Sequence, residues 1–203
     1  MQNNISFTSN INFVSPRQFR KAVYKCGEYI PFENYHEGKF SSLTQTFYTE
    51  DIRTCSAGGI KSSDSAVGFH IKDSSTNYKN IKGIYKSFKE RLSNKIIEGG
   101  LLIGSKELRS SPFSLRIFRA LKNLISKDSK SLSVFETFTD NRSEAHIHYS
   151  FPKDTWTINV QIFDAEKEKY YSINNKEDLI KTFKNISISE NDKLCIQGKE
   201  IQL

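Results

Sequence analysis

Residues 47–73 read FYTEDIRTCSAGGIKSSDSAVGFHIKD. Cys55 follows a run rich in apolar and hydroxyl residues and directly precedes the small-residue stretch Ser56-Ala57-Gly58-Gly59, which reads as a turn. Fifteen residues after Cys55, His70 sits in the strand-like run Ala66-Val67-Gly68-Phe69-His70-Ile71. This layout suits a thiolate–imidazole dyad carried by two neighbouring strands. A cysteine becomes a good nucleophile when something lowers its pKa, and an adjacent imidazole does so while shuttling the proton. The glycines would let the backbone turn tightly and expose amide N–H groups where a tetrahedral oxyanion forms.

Working outward, helix signals come first. Ser15-Pro16 reads as an N-cap followed by proline at the first helical position, with Phe19, Ala22, Val23 and Cys26 on one face and Gly27 as the stop. A second helix is expected over about 80–97, where Ile81, Ile84, Tyr85, Phe88, Leu92 and Ile96 recur at helical spacing before Gly99-Gly100. A third starts at Ser111-Pro112 and runs to about 126, carrying Leu115, Phe118, Leu121 and Ile125 inward and Arg116, Arg119 and Lys122 outward. A short fourth helix is expected around 176–183.

The remainder alternates like strand, with candidates at 41–48, 66–72, 101–104, 131–138, 144–151, 155–163, 168–173 and 193–202. Residues 144–163 read as a hairpin turning at Pro152-Lys153-Asp154. His146 and His148 lie two apart, so they share one side of their strand. Without a third ligand candidate they read as paired polar positions on a solvated sheet face rather than as a metal site. His36, in Asn34-Tyr35-His36-Glu37-Gly38, reads as a surface loop residue. Strand-rich halves around grouped helices suggest an α+β layered fold, not a doubly wound parallel sheet. At 203 residues, a single domain spanning 1–203 is expected.

Composition narrows the classes. The chain is 36% hydrophobic and 12% aromatic, which places it among globular proteins. No apolar run approaches the roughly 20 residues of a membrane span, and the start MQNNISFTSN lacks the features of a signal peptide. Three cysteines with no paired spacing argue against a disulfide framework and a zinc site. Cys195, in Leu-Cys-Ile, reads as a small buried hydrophobe, as does Cys26. Of the 30 Lys/Arg and 23 Asp/Glu, residues 79–130 hold 13 and 4, leaving 17 and 19 elsewhere. That basic stretch would serve either solubility or an acidic partner surface. Nucleic acid is not favoured, since no binding motif appears and the basic residues lack interleaved exposed aromatics.

The pattern aromatic-aromatic-Thr49, Cys55 six residues later, a Gly- and Asp-containing segment, then an apolar strand with His70 followed by Ile-x-Asp resembles the Burkholderia lethal factor type of toxin. More widely, it is similar to cytotoxic necrotizing factor catalytic domains and CheD chemotaxis-receptor deamidases. Residues 99–104 before the helix at Pro112 agree with the CheD order of elements. Arg53-Thr54 stands where the toxins carry smaller residues before the nucleophile. The resemblance implies a β-sandwich of mixed and antiparallel strands flanked by helices, hydrolysing a protein glutamine to glutamate. It implies Cys55 as nucleophile, His70 as acid/base, Thr49 as the group orienting the imidazole, and backbone N–H groups of Cys55 and Ser56 as oxyanion donors. It implies no cofactor and no metal. The partner would be a protein bearing a reactive glutamine, with an acidic surface if Arg116, Arg119 and Lys122 recruit it. The setting would be a bacterial cytoplasm, or a host cell reached by secretion without a cleavable signal. A chemotaxis-receptor deamidase, another cysteine hydrolase and a non-catalytic binding module on the same scaffold remain as rival readings.

Overall fold

The computed structural model describes residues 10–24, 28–30, 35–41, 46–105, 112–129, 133–137, 143–150, 153–164, 167–172, 194–196 and 199–201. These residues form thirteen strands and four helices in two stacked sheets. The larger sheet contains β1 (Asn10–Phe13), β2 (Glu28–Tyr29), β4 (Thr46–Ile52), β9 (Ser143–Ser150), β10 (Thr155–Asp164), β11 (Lys169–Ser172), β12 (Leu194–Ile196) and β13 (Lys199–Ile201). Its order is β13-β12-β1-β10-β9-β4-β2, with β11 also on β10. The smaller sheet contains β3 (Tyr35–Ser41), β5 (Ser56–Lys61), β6 (Ser65–Ile71), β7 (Gly99–Ser105) and β8 (Ser133–Thr137), in the order β3-β6-β5-β7-β8. Both mix parallel and antiparallel pairs. The fold is α+β, a sandwich flanked by helices.

Alternation sorts the side chains into layers. Phe47, Ile147, Tyr149, Trp156 and Ile158 of the larger sheet meet Ala57, Ala66, Leu101 and Ile103 of the smaller one in one buried cluster. The opposite face of the smaller sheet, with Ile60, Val67, Phe69, Ile71 and Leu102, packs on α3 (Ile81–Arg91) and α4 (Pro112–Asp128). There Phe69 stacks on Phe88 with centroids 4.6 Å apart. Burying an aromatic ring of this kind is worth roughly 3–5 kcal/mol against alanine. The expected inward residues Phe88, Leu92, Leu115, Phe118 and Leu121 are all buried.

On the far side of the larger sheet, α1 (Pro16–Val23) starts in a complete capping box: Ser15 Oγ accepts from the Gln18 N–H, and the Gln18 side chain accepts from the Ser15 N–H. Phe19 then packs its ring 5.8 Å from that of His146. His146 and His148 are therefore buried rather than solvated, because a helix covers the sheet face that alternation alone leaves open.

Several expectations change. The stretch Ser56–Gly59 is not a turn but the start of β5, paired on both sides by β6 and β7. Its glycines answer to close packing. A Cβ on Gly58, at φ +156, would lie 2.0 Å from the Leu101 carbonyl oxygen, and one on Gly59 would lie 2.8 Å from both the Phe47 and Trp156 rings. Glycine inside a strand marks close approach as readily as a bend.

The second helix stops at Arg91, where Ser93 and Asn94 take φ 55 and return their N–H groups to the Glu90 and Lys89 carbonyls. Ile96 consequently lies outside it and is 63% exposed. A short helix, α2 (Ser75–Lys79), precedes it, capped by Ser74 Oγ accepting from the Asn77 N–H. His36 belongs to strand β3, opposite His70, and not to a loop. The turn of the β9–β10 hairpin is as expected at Lys153-Asp154. The expected helix at 176–183, Cys26, and the side chain of Cys195 lie outside what the structure describes.

Candidate active site

The chain passes from one sheet to the other at Arg53-Thr54-Cys55. β4 ends at Ile52 in the larger sheet and β5 begins at Ser56 in the smaller one, so Cys55 stands at the edge of the sandwich. A register shift between Thr49 and Ile52, with Asp51 at φ 57, loosens β4 just before the crossing. β6 lies beside β5, with Ala57 opposite His70 and Ser56 opposite Ile71. Cys55 thus directly precedes the strand that pairs with the one carrying His70, and is not itself on a strand.

His70 is fully buried and turned towards the larger sheet. Its Nδ1 lies 2.6 Å from Thr49 Oγ1 on β4. The Thr49 hydroxyl donates its own proton to the Ile30 carbonyl at 2.7 Å. A hydroxyl has one proton to give, so towards the imidazole it acts as acceptor. Nδ1 then carries the ring proton, which leaves Nε2 as the basic nitrogen. The tautomer follows from the hydrogen-bond pattern.

Cys55 is 7% exposed. A cavity of about 340 Å³ opens beside it, lined by Asp51, Arg53, Thr54, Cys55, Lys72 and Asp73. Burial, then the nearby Asp73 carboxylate, pushes the thiol up from 9.0 to about 11, against smaller opposing help from the Asp73 backbone N–H, Lys72 and the Thr54 hydroxyl. The resting sulfur is a neutral thiol at pH 7. This departs from the activated thiolate expected from the sequence, because the sulfur is drawn into the fold beside a carboxylate. Ser56, the second expected oxyanion donor, is 1% exposed on the first residue of β5.

Asp73 and Ser114 complete the surroundings. Asp73 Oδ1 accepts from Thr54 Oγ1 at 3.0 Å and Oδ2 from Ser114 Oγ at 3.2 Å. Asp73 was visible in the Ile-x-Asp that follows His70, though with no role attached. Ser114 carried no sequence signal, since a serine in the first turn of a helix is ordinary.

Beside the pocket, ligand atoms of Asp51, Glu144 and His146 lie within 4.8 Å of one another, a grouping that contains His146 but not the His148 paired with it in the sequence reading. Glu144 and His146 are already engaged: Arg53 binds Glu144 Oε2 at 2.8 Å, and the Asp51 main-chain N–H donates to His146 Nδ1 at 3.4 Å. Arg53 occupies the cationic role that a metal would take.

No protein-family model matches the chain, and no curated protein matches it. Among solved structures, it is similar to the C-terminal domain of CNFy from Yersinia pseudotuberculosis. The identity is 10% and the TM-score 0.36, over 73% of this chain and 58% of that one. The chain therefore spans less than two thirds of that neighbour's length, and the likeness carries no chemistry across.

Away from the pocket, Arg116 and Arg119 are exposed on α4 while Lys122 is half-buried. Arg116 lies over the Tyr78 ring at 5.8 Å. The expected positive surface therefore rests chiefly on the two arginines. No described helix is long and apolar enough to cross a membrane.

Proposed function

We propose that this chain acts, as one domain, as a cysteine-dependent protein-glutamine deamidase. The observation that carries the reading is the Ile30–Thr49–His70 relay, a buried arrangement that sets the imidazole tautomer on the strand next to Cys55. A hydroxyl orienting Nδ1 does for this imidazole what a carboxylate does in other triads.

Because the thiol rests neutral, the proton leaves sulfur as the attack occurs. Sγ adds to the glutamine carboxamide carbon while its proton passes to His70 Nε2. The N–H groups of Cys55 and Ser56 receive the oxyanion, a contribution of about 3–4 kcal/mol for a donor in comparable sites. The imidazolium returns the proton to the departing nitrogen, which leaves as ammonia and yields a thioester. Water, deprotonated by His70, cleaves the thioester to glutamate and restores the thiol. An amine in place of water gives transglutamination. No cofactor enters.

The substrate is a protein with an accessible glutamine, steered by Arg116 and Arg119 if its surface is acidic. The setting is a bacterial effector acting in a host cell, with a CheD-type role in the producer as the alternative. Intact-mass proteomics of a cell extract treated with the protein, searching for +1 Da glutamine-to-glutamate changes absent with Cys55→Ala, tests the reading. The burial and neutrality of Cys55 favour a second reading, a binding module without catalysis. Retention of partner binding and phenotype by Cys55→Ala would select it, whereas Cys55-dependent hydrolysis of a small amide or a peptide bond, with no protein glutamine altered, would point to another cysteine hydrolase.

A further inference from the structure

Three segments meet at Asp73. β6 leaves its sheet after Ile71, and Lys72-Asp73 follow before Ser74 caps α2. From that position the Asp73 carboxylate holds Thr54, the residue before Cys55, at 3.0 Å, and Ser114 of α4 at 3.2 Å. Ser114 is 1% exposed, so the helix behind the site is tied in through a buried hydroxyl. Asp73 and Cys55 line the same cavity. One residue thus stands beside the nucleophile and holds both its neighbour and the supporting helix.

The charges around the sulfur come from several elements. Asp51 reaches the cavity from the end of β4, Arg53 from the crossing, Lys72 and Asp73 from just past β6, and His70 lies behind on β6. Arg53 is committed to Glu144. Asp73 outweighs Lys72 at Cys55. The chain as a whole carries a formal charge of +7.

Taking Cys55 as the nucleophile of the proposed reaction, we propose that Asp73 is its positioning residue, which through Thr54 and Ser114 fixes the segment carrying the sulfur against the end of β6 and places the sulfur in a locally negative field within a positively charged protein. The carboxylate keeps the sulfur protonated until an amide is bound and the imidazole can take the proton. It also favours a cationic group beside the reacting carboxamide.

The test uses the full chain and three methanethiosulfonate probes: trimethylammonium-ethyl (cationic), methyl (neutral) and sulfonatoethyl (anionic). Rates at Cys55 are read by peptide mapping and normalised to a free thiol. The cavity has room for each probe. In the wild type at low salt the cationic probe should outrun the anionic one several-fold, opposite to what the net charge alone would give, and added salt should shrink the ratio. Asp73→Asn should collapse or invert that preference, and Asp73→Glu should restore it. Iodoacetamide at pH 8 should also label Asp73→Asn faster, about three- to fourfold for each unit that the thiol falls, since lower basicity partly offsets the gain in thiolate. If Asp73→Asn does not fold, Lys72→Gln serves, and its cationic preference should rise above that of the wild type.

Anionic preference in the wild type, an unchanged ratio in Asp73→Asn, or a Cys55 that reacts with none of the probes overturns the proposal. These rates need no turnover. A wild type that labels as expected but releases no ammonia from glutamine sinks the deamidase reading and leaves the role of Asp73 at the sulfur standing.

Discussion

Replacing Thr49 by valine preserves shape in a fully buried site while removing one hydroxyl, and the structure states what that hydroxyl does. The Ile30 carbonyl loses its 2.7 Å donor, and His70 Nδ1 loses its 2.6 Å acceptor. A buried polar group left without its partner costs about 1–3 kcal/mol. Two would cost roughly 2–6 kcal/mol, but the imidazole can recover part by moving its proton to Nε2. The expected loss is therefore about 2–4 kcal/mol in urea or thermal unfolding. That tautomer shift removes the basic nitrogen from the reaction, and a mis-set catalytic imidazole costs about 10⁴ in kcat in the comparable triad case. Deamidation of a glutamine peptide, followed by the +1 Da shift, should fall by roughly 10²–10⁴ at saturating substrate. Thr49→Ser, which keeps the hydroxyl, should recover most of the rate. Nitrogen chemical shifts of His70 should show Nδ1 protonated in the wild type and in Thr49→Ser, and Nε2 protonated in Thr49→Val. A Thr49→Val protein within about 0.5 kcal/mol of wild type, or one with an unchanged tautomer and rate, would refute the relay.

Burial, with a smaller push from Lys153, lowers His148 from 6.5 to about 4, and among the described residues neither of its ring nitrogens has a hydrogen-bond partner. The folded protein therefore binds fewer protons than the unfolded chain between those values. Stability holds above pH 6.5 and falls by roughly 3 kcal/mol as pH drops to 4; urea midpoints should show the slope in the wild type and not in His148→Phe. Cys55 should alkylate slowly at pH 7, with a rate still rising above pH 9 toward an inflection near 11, and a plateau by pH 8 would contradict its burial beside Asp73. Gly58→Ala should cost about 3 kcal/mol or more, because the new Cβ meets a strand backbone at 2.0 Å; a melt within a degree or two of wild type would show that β5 and β7 can part. Arg116→Glu with Arg119→Glu should slow protein-substrate turnover in a salt-dependent way and leave glutamine-peptide hydrolysis unchanged; equal turnover of the full target across salt concentrations would leave the arginines a solubility feature.

The layers were legible because their signals are periodic. Apolar residues at helical spacing placed α3 and α4, and alternation placed β6, β9 and β10, since both patterns report a face that must be buried. Residues whose job is to be small gave the opposite impression. Gly58-Gly59 signals a turn by composition, yet it is strand because Leu101, Phe47 and Trp156 come so close. The two histidines on β9 looked solvated because nothing in residues 143–150 announces that α1, more than a hundred positions earlier, will lie across them.

The site divides along the same line. Thr49, Cys55 and His70 could be singled out from spacing and resemblance, because the proposed nucleophile, base and orienting group must be of particular chemical types. What spacing cannot carry is the environment, and here the environment decides the chemistry. A buried sulfur beside a carboxylate is a poor thiolate, so any catalysis at Cys55 must move the proton during attack and not before it. That places the demand on the imidazole, whose tautomer must already be correct, and a hydroxyl committed to a main-chain carbonyl is a device that fixes it. In the proposed reaction, the neutral thiol and the Ile30–Thr49–His70 relay are two halves of one arrangement: the first would make a ready base necessary, and the second would supply it.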